Sequence, residues 1–234
     1  MQKFYQFSYW LDNATCEATI NGFPIFNRPI KGGSGGGPID PYLIGRNNKL
    51  RIEATPTDEN AVFRFSLIEM DAGSMGGGIE DMENQSLTPG KTLVIEREFD
   101  SDNAPFAPTL NSATTPTREE LHAFAESLKS KLAARDTEAI VSMCRPKIEM
   151  IALVYGAPFE VMSAQIAEMI AEFAICDFTF DTATINLVPH CDGKVWEFRK
   201  ADGAPFVHGE HPEGYTIAMH VYVAKLPGGV FVVA

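Results

Sequence analysis

The side chains best suited to chemistry lie late in this chain. His220 and Tyr222 fall two apart in residues 215–224, whose apolar and polar residues alternate as in a strand. Residues two apart on a strand share a face, so this imidazole and this phenol point the same way. Imidazole titrates near neutrality and can serve as an acid, a base or a donor to a ligand. Asp181 shares the corresponding face of residues 177–188 with Asp177, opposite Phe178 and Phe180, and is a third candidate for proton transfer. Trp196 and Phe198 share a face of the strand-like residues 194–199 and offer an aromatic wall. The ligand-binding set expected from these patterns is Trp196, Phe198, His220 and Tyr222, and the catalytic set is His220, Tyr222 and Asp181.

Other reactive residue types are present without the spacing that reactions need. His190, Cys191 and Asp192, together with His208 and His211, are metal-ligating types in loops, yet no pair sits at the i, i+4 separation of a helical metal site. Asp192-Gly193 reads better as a hairpin turn. No metal and no cofactor are expected. Cys16, Cys144, Cys176 and Cys191 lie far apart without a C-x-x-C pair, so they read as buried thiols. His190 and Cys191 are adjacent on a strand and point to opposite faces, which is no activated thiol. The glycine runs 32–37 and 73–78 lack the lysine and the helix start of a phosphate loop and read as surface loops. No Gly-x-Ser-x-Gly elbow occurs.

Charge narrows the classes further. The 234 residues carry a net charge of −12; residues 1–110 hold 9 Lys/Arg against 15 Asp/Glu, and residues 111–234 hold 10 against 16. A chain acidic throughout, without a basic run, is not expected to bind nucleic acid, because that function needs cations to displace phosphate counterions. No apolar run approaches the length that spans a bilayer, and the first residues alternate polar with aromatic side chains. These features predict a cytoplasmic protein with no membrane association.

The elements that must position these residues fall into two groups. Residues 1–100 show short strand patterns with turn signals, among them Asn21-Gly22, and predict an all-β sandwich domain. Residues 101–116 are rich in Pro, Ser, Thr, Asn and Asp without a hydrophobic period, which is linker composition. Residues 117–234 open with a capping box, Thr117 to Glu120, followed by three helical stretches and then by period-two strands. Helices first and an antiparallel sheet afterwards make an α+β domain.

Two stretches carry resemblances. Ile20-Asn21-Gly22-Phe23-Pro24-Ile25, a glycine run, and then Ile39 to Ile52 resemble the jelly-roll accessory domains of many glycosidases, which implies a β-sandwich. Leu132-Ala133-Ala134-Arg135-Asp136 and Glu138-Ala139-Ile140-Val141-Ser142, in a helices-then-strands order, resemble the nuclear transport factor 2-like superfamily of polyketide cyclases and ketosteroid isomerases. That resemblance implies a cone of curved sheet around helices, holding a small ligand or forming a homodimer through its sheet. In the isomerases a pocket carboxylate takes a proton beside a carbonyl, and neither Asp177 nor Asp181 aligns with that base. The expected function is binding of a small ligand in the cone or of a protein partner. Two alternatives stand beside it: an isomerase- or cyclase-type enzyme using proton transfer, and an interaction module of the immunity or inhibitor kind.

Overall fold

A computed structural model describes residues 3–26, 30–71, 78–173, 176–178 and 181–234. The chain divides into two compact units, Met1–Ala107 and Pro108–Ala234. The first is strand-rich; the second packs helices against antiparallel sheet.

The N-terminal unit is organised by one long strand. β1 (Lys3–Ile20) is joined by β2 (Phe23–Pro24), β3 (Ile30–Pro38), β4 (Asn48–Pro56), β5 (Val62–Asp71), β6 (Gly78–Ser86) and β7 (Leu93–Phe99). The described strands order as β6-β5-β1-β4-β7, with β2 and β3 also paired to β1. β1 changes partner along its length: Lys3 to Asp12 pair with β5, and Ala14 to Ile20 pair with β4. Between these segments Asn13 takes φ 51°, a left-handed conformation that asparagine tolerates better than most residues. The irregularity also shifts the inward parity, from Tyr5, Phe7 and Leu11 to Ala14, Cys16, Ala18 and Ile20, so both halves of the strand feed one core.

The glycine run 32–37 is not a loop. It lies in β3 along β1, where a Cβ at Gly35 would fall 2.6 Å from the Tyr9 hydroxyl and one at Gly36 would fall 2.4 Å from the Phe7 carbonyl oxygen. Glycine is required there because strand and ring approach closer than a side chain permits. Residues 73–77 of the second glycine run lie outside the described residues. Asn48, fully buried, pins the turn before β4. Its Oδ1 accepts from Ile44 N at 2.8 Å and Asn21 Nδ2 at 3.0 Å, and its Nδ2 donates to Gly45 O at 2.6 Å.

α1 (Ala107–Ser112) is followed, in the C-terminal unit, by α2 (Arg118–Ala133), α3 (Thr137–Met143), α4 (Arg145–Tyr155) and α5 (Phe159–Phe173). α1 falls within the segment whose composition reads as linker. The capping box forms in full: Glu120 N donates to Thr117 Oγ1 at 3.2 Å, and Thr117 N donates to Glu120 Oε2 at 2.8 Å. Asp136 caps α3 by accepting from Ala139 N, and Gly156 at φ 61° ends α4.

The strands that follow are β8 (Asp177–Phe178), β9 (Asn186–His190), β10 (Val195–Arg199), β11 (Val207–Glu210), β12 (Thr216–Met219), β13 (Val221–Leu226) and β14 (Gly229–Val232). They form a sheet ordered β14-β13-β10-β9 and a smaller one ordered β12-β11-β8, each antiparallel. The run 177–188, read from sequence as one strand, is broken: β8 and β9 are separate, with a short 3-10 turn at Thr182–Thr184 between them. Residues 179–180 of that run lie outside the described residues. The run 215–224 also divides, β12 joining one sheet and β13 the other, with His220 at the break. Leu121, Phe124, Leu128 and Leu132 of α2 pack with Leu187, Phe198, Val221, Val223 and Val232 of the larger sheet, so one sheet face closes the helical core. Among the described residues no helix is long and apolar enough to cross a membrane.

Candidate functional site

Antiparallel register decides which side chains meet. Glu197 in the middle of β10 pairs directly with Tyr222 of β13 and Val188 of β9, and Val195 pairs with Ala224 and His190. Paired residues share a face, so Glu197, Tyr222 and His190 lie on the side opposite Phe198, which faces the helices. The sheet therefore has an apolar face under the helices and a second face with a carboxylate at its centre.

That carboxylate is wholly buried, and both its oxygens are occupied. Oε1 accepts from His220 Nδ1 at 2.8 Å; Oε2 accepts from His190 Nε2 at 3.2 Å and from Arg199 Nη2 at 2.5 Å. Tyr222, also buried, has its ring centroid 5.8 Å from that of His190 and 6.3 Å from that of His220, the latter pair stacked at 16°. Burial alone would raise the pKa of Glu197, but hydrogen bonds from His190, His220 and Arg199, with the guanidinium charge, outweigh it and hold the group well below the usual carboxylate range. The site thus contains a buried carboxylate kept ionised by its own donors.

Ionisation fixes the imidazoles. A carboxylate only accepts, so His220 carries a proton on Nδ1 and His190 carries one on Nε2. In neutral rings the remaining nitrogens, Nε2 of His220 and Nδ1 of His190, are acceptors. Their side chains keep 13% and 14% of their exposure, so the rings are neither sealed in nor loose. A carboxylate that orients an imidazole through one nitrogen and leaves the other as an acceptor is the arrangement of an oriented general base or of a ligand-binding histidine.

The sequence-derived candidates separate on this framework. His220 and Tyr222 come together with their rings stacked, although residues 215–224 are not one strand and the break falls at His220. Trp196 and Phe198 lie on the other face: Phe198 is fully buried against Phe124 and Phe206, and Trp196 packs beside the same core while its Nε1 donates to Gly193 O at 2.9 Å. The four do not line one wall. Asp181 is distant in role, an exposed N-cap whose Oδ1 accepts from Ala183 N at 3.0 Å and whose Oδ2 accepts from Thr184 Oγ1. His190 enters the site through its pairing with β10, whereas Cys191 turns away into a buried position that pushes its thiol up to about 12. The turn Cys191-Asp192-Gly193, with all three residues at positive φ, links β9 to β10. His211 stacks on Tyr215 at 4.2 Å and accepts from Glu213 N through Nδ1, a contact within the β11–β12 turn. Among the described residues no group of three or more His, Cys, Asp or Glu side chains is placed to hold a metal ion.

Glu197 and Arg199 were not singled out in the sequence. The available signal was their i, i+2 spacing in a strand, with a glutamate where a hydrophobic alternation leaves a buried position. Comparisons with protein-family models, with curated proteins and with solved structures return no match.

Proposed function

We propose that this is a binding protein whose C-terminal unit holds a small polar ligand against the sheet face around Glu197. The observation that carries the reading is the buried, ionised Glu197 bonded to His190, His220 and Arg199. A purely structural carboxylate is most simply satisfied by backbone amides. Here three long, partly exposed side chains are held instead, at an entropic cost, with one nitrogen of each imidazole turned away from the carboxylate. A ligand with hydroxyl or amide donors suits those acceptor nitrogens, and a protonated imidazole would favour an anionic group. The order of helices followed by antiparallel strands supports reading this unit as nuclear transport factor 2-like; in the first unit the described strands pair into one sheet, and it is the change of partner along β1, whose two halves feed one core, that supports a β-sandwich. On this reading the ligand face differs from the interior of a cone, because the helix-facing side is filled by Phe124, Phe198 and Phe206.

Native mass spectrometry of the chain as purified, with calorimetric titration against a panel of small hydroxy and carboxy compounds, tests the reading. A retained or titratable ligand whose affinity falls at least about tenfold in His220→Ala is expected. Binding that survives that substitution unchanged sinks the assignment to this face. A second reading, proton transfer, is favoured by one observation: the 2.8 Å contact from His220 Nδ1 to Glu197 leaves Nε2 as an oriented base. It predicts solvent exchange of an acidic proton on a bound carbonyl compound, lost in His220→Gln.

A further inference from the structure

The surface of α5 supports an inference independent of the Glu197 site. α5 buries only Ile170 completely, with Ile166 partly buried against the helical core. Its opposite stripe, at i, i+4, i+7, i+8 and i+11, is Val161, Gln165, Glu168, Met169 and Glu172, all exposed. Val161 and Met169 keep 47% and 45% of their exposure; on α4, against which α5 packs, Leu153 and Tyr155 are also exposed but, two residues apart, lie on different faces of that helix. A surface helix normally places its apolar residues on one face and polar ones on the other; here both faces carry large apolar side chains.

Charge selects the occupant. α5 carries Glu160, Glu168 and Glu172 and no Lys or Arg, while Arg145 and Lys147 lie in the first turn of α4, Arg145 bonded to Glu149 and set over the Phe159 ring. Glu168 and Glu172 lie on the apolar stripe itself, and Glu160 is exposed beside Val161. A second copy of the chain would bring these carboxylates against their own kind, and nucleic acid or an anionic membrane would bring phosphates against them. The chemistry that satisfies both the apolar residues and the carboxylates is an amphipathic segment with a basic rim. We propose that the outer face of α5 is a docking site for a basic amphipathic segment of another protein. Apolar side chains of that segment would cover Val161 and Met169, while its lysines or arginines would meet Glu168 and Glu172.

The test uses the full chain with two synthetic fluorescent helical peptides, one built from leucine and lysine and the other from leucine and glutamate, read by anisotropy at low and at high salt. The leucine–lysine peptide should bind in both conditions, more tightly at low salt, and the leucine–glutamate peptide should not. Val161→Lys and Met169→Lys should each weaken binding by about tenfold, whereas Val94→Lys, an equal charge change at an equally exposed valine of the N-terminal unit, should change it less than about twofold. Circular dichroism melts should match across the variants, since the substituted side chains are exposed. Equal losses in all three variants would mean diffuse attraction to an acidic protein and would overturn the docking site. So would equal binding of the acidic peptide. Sedimentation showing a dimer that Met169→Lys dissociates would also overturn it, by assigning the surface to a second copy.

Discussion

Two buried carboxylates, Asp40 in the N-terminal unit and Glu197 in the C-terminal unit, are satisfied in opposite ways. Both oxygens of Asp40 accept from the backbone amide of Tyr5, each at 3.1 Å. Burial raises its pKa, and hydrogen bonds from backbone amides and Asn103 only partly offset that. Glu197 is bonded instead by two imidazoles and a guanidinium, and those donors carry its pKa below the ordinary value despite burial. A carboxylate bonded chiefly to backbone fixes the chain's path. One bonded to side chains fixes the orientation and protonation of groups that can themselves meet a ligand. The first arrangement builds a fold and the second builds a site.

The largest expected effect comes from removing the C-terminal carboxylate outright. Glu197→Ala leaves the Arg199 guanidinium and two imidazole N–H groups without their shared acceptor and should cost about 3–5 kcal/mol in denaturant unfolding. A cost near that of an exposed surface substitution would break the contrast. Amide replacements sharpen it. Glu197→Gln keeps the shape but removes the charge that three donors require, and should destabilise by about 1.5–3 kcal/mol. Asp40→Asn keeps an oxygen for Tyr5 N and removes a charge that burial disfavours, so it should fall within about 1 kcal/mol of wild type, on the stabilising side at alkaline pH.

Acid and base should separate the two carboxylates by sign. The folded-state pKa of Glu197 is depressed, so its stabilisation is fully present above the ordinary glutamate value of 4.5 and is lost as pH falls through the lowered value. The folded-state pKa of Asp40 is raised, so its contribution is fully present below the ordinary aspartate value of 3.8 and is lost as pH rises through the raised value. Unfolding free energies of wild type and the two amide variants across pH should therefore show the Glu197→Gln penalty shrinking in acid. The Asp40→Asn difference should turn favourable as pH rises. Parallel pH curves for the two variants would remove the distinction.

Much of the scaffold was legible in the sequence because it rests on local chemistry. The Thr117–Glu120 capping box, the Asn21-Gly22 turn and the α2 stripe from Leu121 to Leu132 are each encoded within a few residues. Period two likewise put His220 and Tyr222 on one face. What was not legible depended on pairing between distant strands. No local pattern tells that Glu197 lies opposite Tyr222, or that His190 reaches its carboxylate across the β9–β10 turn, because register is a tertiary property. The division of residues 215–224 between two sheets is of the same kind. Trp196 and Phe198 had the right spacing for a shared face, but the choice between wall and core was made by the helices that cover it. The glycine run 32–37 was legible as unusual and not as a strand, since its reason is the Tyr9 ring and the Phe7 carbonyl of another segment.

The central claim, that an ionised Glu197 orients two imidazoles for a ligand, is tested most directly by long-range nitrogen–proton NMR correlation of the histidine rings at alkaline pH, where imidazole is neutral. The predicted result is the Nδ1–H tautomer for His220 and the Nε2–H tautomer for His190, with the His220 tautomer shifting in Glu197→Gln. His220 found as the Nε2–H tautomer in the native protein, and unaltered by Glu197→Gln, would contradict the account.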